Sequence, residues 1–212
     1  MKKIYILSGL GADERVFKHL DFKDWDVTFV NWITPTKDEP IETYVKRISG
    51  QIKSENPILI GLSFGGIIAT EISKIMKVEK LILISSLKTQ YEIPKLYRLA
   101  GKLRLHQMIP YSILKNDHFL NRWLFGVIGK RDRDLFKKVL ADTDIVFLKW
   151  AVNIIVKWNN KQLHENLFQI HGTNDKLLPI TKSDNVIAIK NGGHLMVLTK
   201  AKQVSEALHR II

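Results

Sequence analysis

Residues 58–66 read Ile58-Leu59-Ile60-Gly61-Leu62-Ser63-Phe64-Gly65-Gly66, and the reading of this stretch decides the fold. Three β-branched or aliphatic residues form a run of strand length, and a helical pattern continues from Ile67 to Met76. A serine between the two sits on a sharp strand-to-helix turn. Such a turn strains the backbone at the serine, so the residues two places away on either side must lack bulk. Gly61 and Gly65 meet that demand, and Gly66 lets the helix approach the sheet. The same turn places Ser63 at a helix N-terminus, where free N–H groups and the helix dipole favour developing negative charge.

The pattern extends in both directions. Residues 3–7, 27–31, 81–84, 167–170 and 186–189 are further continuous apolar runs. Runs without polar alternation suit strands covered on both faces of a parallel sheet. Residues 14–20, 41–53, 64–76 and 200–212 carry helical patterns between them. Alternation of this kind predicts right-handed crossovers and a three-layer α/β domain. The rhythm breaks over residues 88–161, where no strand run occurs. Residues 132–140 and 144–158 read there as helices opened by Asp or Thr caps. We therefore expect one domain over residues 1–212, with residues 88–161 inserted as a helical lid.

A serine hydroxyl needs a base to remove its proton. Seven histidines are available: His19, His106, His118, His164, His171, His194 and His209. His194 follows Asn191-Gly192-Gly193 just past the run 186–189, at the carboxyl end of a strand, where open α/β sheets build their sites. The imidazole in turn needs an acid to hold its tautomer. Asp175 follows the run 167–170, whereas Asp184 precedes a strand and belongs at the opposite edge. The loop Ser85-Ser86-Leu87-Lys88 offers no acid. Ser63, Asp175 and His194 thus each follow a different strand, in the order Ser…Asp…His. An oxyanion also needs donors. The Phe64 N–H supplies one, and the Leu10 N–H, in Ser8-Gly9-Leu10-Gly11, is the candidate for the second. Gly9 and Gly11 do not open a dinucleotide fingerprint, because Glu14 stands where its third glycine would be. We expect no cofactor and no metal.

These residues resemble the α/β-hydrolase superfamily, and in particular its small bacterial esterase-like members that begin with a G-L-G-x-D-x-R segment, here Gly9 to Arg15. The resemblance covers residues 2–86 and 163–212 and hardly touches the lid. It implies an eight-stranded, mostly parallel sheet. Only about six strands are visible, so the two leading strands are missing and the remainder should be all parallel. It also implies Ser63 as nucleophile, Asp175 as acid, His194 as base, and Leu10 with Phe64 as oxyanion donors. Ser8 stands where many relatives have the histidine of H-G-x-G, which leaves the side-chain hydrogen bonding of that loop open.

Bulk properties bound what this chemistry serves. The 212 residues are 45% apolar and 25% charged, as in a chain that buries a real core. Cysteine is absent, which excludes disulfides and thiolate catalysis. No run approaches the roughly 20 apolar residues of a membrane span. Met1-Lys2-Lys3 precedes only about four apolar residues, short of a signal peptide's h-region of roughly 7–15. The expected compartment is the cytoplasm, with no stable membrane insertion.

The formal net charge is +12, distributed as +1 over residues 1–86, +9 over 87–162 and +2 over 163–212. No nucleic-acid motif accompanies it, so the expected partner is a small-molecule ester or thioester. An anionic or lipid-like ester would suit the basic lid. Tyr91, Tyr97, Trp123, Phe125, Phe147 and Trp150 are candidates to line its pocket or to form its core. A non-catalytic ligand-binding protein on the same fold is the alternative. Oligomeric state is not legible in the sequence.

Overall fold

The computed structural model describes residues 1–105, 119–127, 129–181 and 185–212. Among these residues six strands form one sheet: β1 (Lys3–Leu7), β2 (Asp26–Val30), β3 (Ile58–Leu62), β4 (Lys80–Ile84), β5 (Leu167–Gly172) and β6 (Val186–Ile189). Their spatial order is β2-β1-β3-β4-β5-β6, and every neighbouring pair is parallel. The all-parallel, six-stranded sheet agrees with the sequence.

Continuous apolar strands follow from burial on both faces, and successive residues divide between two cores. Ile4, Ile6, Ile58, Ile60, Ile82 and Ile84 point to one side, where the turn Glu14–Phe17 and the C-terminal helix cover them. Tyr5, Leu7, Leu59, Leu81 and Leu83 point to the other, under α1 (Ile41–Ile48) and α2 (Phe64–Ile72). Each such aliphatic side chain contributes about 1.5–3 kcal/mol by leaving water. A shift of one residue in register would send it to the wrong core.

The region between β4 and β5 holds α3 (Lys95–Lys102), α4 (Phe119–Phe125), α5 (Lys130–Asp142) and α6 (Ile145–Lys157) among the described residues. After β6 come α7 (Met196–Thr199) and α8 (Ala201–Ile211). No described helix is long and apolar enough to cross a membrane.

Several boundaries differ from the sequence expectation. Residues 14–20 make only a single 3₁₀ turn, Glu14–Phe17, capped by the Asp13 side chain on the Arg15 N–H. The helix expected over 41–53 stops at Ile48 and tightens into 3₁₀ geometry over Ser49–Gln51. The one expected over 64–76 stops at Ile72, and that expected over 200–212 is preceded by the separate turn Met196–Thr199. Asp132 does not cap its helix, which begins two residues earlier. Asp144 does cap α6, accepting from the Phe147 N–H at 2.7 Å.

The order of the strands decides where a site can form. The chain leaves β1 for β2 on one side and then crosses back to β3 on the other. The loops after β1 and β3 therefore diverge, and a crevice opens at the carboxyl ends of these two strands.

Candidate active site

Ser63 stands in that crevice. Its φ of 52° and ψ of −118° lie in a region that non-glycine residues avoid. Three hydrogen bonds hold it there. The Ser63 N–H donates to Ile84 O at 2.9 Å, Gly66 N–H donates to Ser63 O at 2.9 Å, and the Ser86 hydroxyl donates to the same carbonyl at 2.6 Å. The glycines permit the close approach. A Cβ on Gly61 would lie 2.4 Å from Gly66 Cα, and one on Gly65 would lie 2.3 Å from the carbonyl oxygens of Leu7 and Ser8.

The three residues singled out from sequence come together although 131 positions separate Ser63 from His194. His194 Nε2 lies 2.9 Å from Ser63 Oγ, and His194 Nδ1 lies 2.8 Å from Asp175 Oδ2. A carboxylate can only accept, so Nδ1 carries the proton and Nε2 of the neutral ring faces the serine hydroxyl as an acceptor. His194 and Asp175 are both buried.

The Asp175 carboxylate is fully engaged. Oδ1 accepts from the N–H groups of Leu177 (3.0 Å) and Leu178 (2.9 Å). Burial opposes its ionisation. Electrostatic attraction to His194 and the hydrogen bonds from His171, His194 and Leu178 outweigh that effect and hold the carboxyl well below the usual range.

The loops carrying acid and base are stitched together: Asn174 N–H donates to Gly192 O at 2.9 Å, and Asn191 N–H donates to Thr173 Oγ1 at 2.9 Å. A Cβ on Gly172 would strike Gly192 O at 2.2 Å.

Sequence reasoning missed two supporting groups. His171 is buried, with Nε2 2.7 Å from Leu178 O and 3.2 Å from Asp175 Oδ2. The carbonyl fixes Nε2 as the donor, so His171 braces the same carboxylate that holds His194. Two polar residues two places apart, Gln169 and His171, on one face of an otherwise apolar strand were the available signal. Gln169 Nε2 in turn donates to Ser86 O at 2.7 Å. The second group is Phe125. Its ring meets the His194 imidazole edge to face at 5.5 Å, and its carbonyl accepts from Leu195 N–H at 3.0 Å. No sequence pattern predicted that the helical region would grip the histidine loop. His106, His118 and Asp184 lie outside the described residues.

Leu10 and Phe64 border the same space as Ser63. The Phe64 N–H, at the first turn of α2, has no intrahelical acceptor. Ser8 resolves what its departure from histidine left open: its hydroxyl donates to Ala12 O at 2.6 Å and accepts from Trp32 Nε1 at 2.9 Å, so it ties down the loop that carries Leu10. Beside Ser63 opens a cavity of about 390 Å³, walled mainly by Phe64, Ile67, Leu124, Leu140, Leu148, Val152 and Ile155. Of the six aromatic candidates, Tyr97 and Phe125 line it. Phe147 and Trp150 belong instead to a buried ring cluster with Tyr44 and Phe64, while Tyr91 and Trp123 are largely exposed. Among the described residues, no group of His, Asp and Glu side chains is arranged to hold a metal ion.

No protein-family model matches the sequence, and no curated protein matches it. Solved structures do match in three dimensions. A thermophilic esterase from Thermogutta terrifontis superposes with a TM-score of 0.73 at 14% identity, over 99% of this chain and 89% of its own. A putative non-heme bromoperoxidase from Mycobacterium tuberculosis H37Rv gives 0.74 at 12% identity, over 100% and 92%. An epoxide hydrolase from Bacillus megaterium gives 0.70 at 12% identity, over 100% and 93%. With its parallel sheet, its order of strands and these near-complete superpositions, the chain has the α/β-hydrolase fold.

Proposed function

We propose that this protein is a serine hydrolase that cleaves a carboxylic ester or thioester through an acyl-enzyme on Ser63. One observation carries the reading: Ser63 Oγ, the His194 ring and the Asp175 carboxylate form a continuous hydrogen-bonded line, at 2.9 and 2.8 Å, beside an apolar cavity. The esterase and epoxide hydrolase among the similar structures accord with hydrolysis.

In this reading His194 Nε2 takes the hydroxyl proton as Ser63 Oγ attacks the carbonyl carbon. The negative oxygen of the tetrahedral intermediate is held by the Phe64 and Leu10 N–H groups. Collapse breaks the bond to the leaving alcohol or thiol, which receives the proton from His194. A water then gives its proton to the same nitrogen and attacks the acyl-enzyme, and the acid product leaves with Ser63 restored. Asp175 stays ionised throughout and stabilises the imidazolium. Residues 1–212 act as one catalytic domain, with 88–161 as the helical lid that walls the acyl site.

The test is labelling of the folded protein with a fluorophosphonate, alongside hydrolysis of p-nitrophenyl butyrate. Wild type should label on Ser63 and turn over, and Ser63→Ala should lose both, with turnover down about 10⁴-fold or more. A wild type that neither labels nor hydrolyses any ester or thioester would overturn the proposal in favour of a binding protein on this fold.

A further inference from the structure

The helical region presents apolar side chains outward as well as inward. Leu96 and Leu99 on α3, with Leu103 at its C-cap, lie within about 60° of one another at 3.6 residues per turn. Leu96 is 71% exposed, Leu103 is 59% exposed, and Leu99 is also exposed. The adjoining side of α3, centred near Tyr97, faces the protein: Tyr97 and Ala100 line the cavity, and Gly101 packs on Val156. On α4 the arrangement repeats. Phe119 is 74% exposed, with Leu120 and Trp123 also outward, while Leu124 and Phe125 line the cavity. The two helices stand over one loop, since the Tyr97 hydroxyl donates to Leu177 O at 3.1 Å and Lys176 Nζ sits 4.0 Å from the Trp123 ring centre. Exposed cations edge the leucine stripe: Lys95 and Lys102 lie along one side of it on α3, next to Leu99, and Arg104 follows.

We propose that this face docks on an anionic lipid bilayer, lying on the surface without spanning it. An apolar stripe flanked by lysine and arginine is the pattern of interfacial helices, in which leucines enter the acyl boundary and cations meet anionic headgroups. The charge argues for lipid over a second copy of the chain. A symmetric dimer through this face would bring Lys95, Lys102 and Arg104 up against their own copies. Nucleic acid would satisfy the cations but leave the leucines without a partner. The two helices that carry the stripe also wall the cavity, so a docked enzyme would receive lipid acyl chains beside Ser63. That last step rests on the acyl-transfer reading, whereas the docking does not.

The experiment is co-sedimentation of the full chain with vesicles of phosphatidylcholine, with and without a third of phosphatidylglycerol. Wild type and Ser63→Ala should bind the anionic vesicles and not the neutral ones. Leu96→Asn and Leu103→Asn leave the charge unchanged and should each raise Kd about tenfold. Lys95→Gln and Lys102→Gln should each raise it about fivefold. The leucine variants should keep the wild-type Tm and the wild-type rate on p-nitrophenyl butyrate, because none of these side chains touches the serine. Equal binding by the leucine variants, equal binding to neutral vesicles, or no binding by a wild type that dimerises through these leucines would overturn the proposal. A wild type that binds vesicles but hydrolyses nothing would leave docking standing and remove acyl transfer.

Discussion

At the scale of single residues, Asp175 carries a buried charge that several groups hold in place. Its carboxylate accepts from two main-chain N–H groups and two histidines while shielded from water. Replacing it by Asn leaves the shape nearly unchanged but removes the acceptor that holds the proton on His194 Nδ1. Asp175→Asn should therefore lower kcat by about 10⁴-fold with a small change in KM. The same variant reports on stability. The folded-state pKa is depressed, so the contribution is present above the unfolded value of about 4 and is lost as pH falls through that value towards the folded one. Denaturant midpoints should be flat from about pH 7 to pH 5 and fall steeply between about pH 5 and pH 2 for wild type, and fall less for Asp175→Asn. His171 makes a separate prediction. His171→Phe strips the Leu178 carbonyl of its donor and should cost about 1–3 kcal/mol by chemical denaturation.

At the scale of elements, the strand-to-helix turn tolerates no added atom. A Cβ on Gly66 would lie 2.3 Å from Ser86 Oγ and 2.6 Å from Ser86 Cβ, so Gly66→Ala must push α2 off the sheet or displace the hydroxyl that holds Ser63. Its expected cost is about 3 kcal/mol, with a large loss of turnover. Gly50→Ala is the control, since nothing lies within 4 Å of its Cβ position, and its thermal midpoint should match wild type or rise slightly.

These elements show what could be read in advance. The strands were legible because burial on both faces demands unbroken apolar runs, and the turn at Ser63 was legible because crowding demands glycine. Asp175 and His194 were legible because each follows a strand in an all-parallel sheet, which places them on one edge. Helix ends were less so. Residues 73–76 keep the helical apolar pattern although α2 ends at Ile72, because turn-like hydrogen bonds take over there. Residues 95–102 hid a helix behind Pro94, which reads as punctuation but here stands at the N-cap. The bracing of Asp175 by His171, and of His194 by Phe125, depends on contacts across the fold that carry no local pattern.

At the scale of the whole molecule, the proposed acyl transfer predicts that the cavity sets the acyl preference. Its aliphatic walls reward each buried methylene with about 0.8 kcal/mol, or about fourfold in kcat/KM. A series of p-nitrophenyl esters should thus improve from acetate upward and level off once the chain fills about 390 Å³. Val152→Phe should move the optimum to shorter chains while leaving the acetate rate near wild type.

The grip between Phe125 and the histidine loop bears on how such a molecule can be altered. The Leu195 main chain leans on the Phe125 carbonyl, and Gly126 and Gly193 pass so closely that a single methyl on either would collide. The insert is therefore not a detachable module. Trimming it, or exchanging it wholesale with that of another protein, would unmoor the imidazole as well as remodel the cavity beside Ser63. Any graft that hopes to keep turnover must carry this aromatic ring and the glycine behind it.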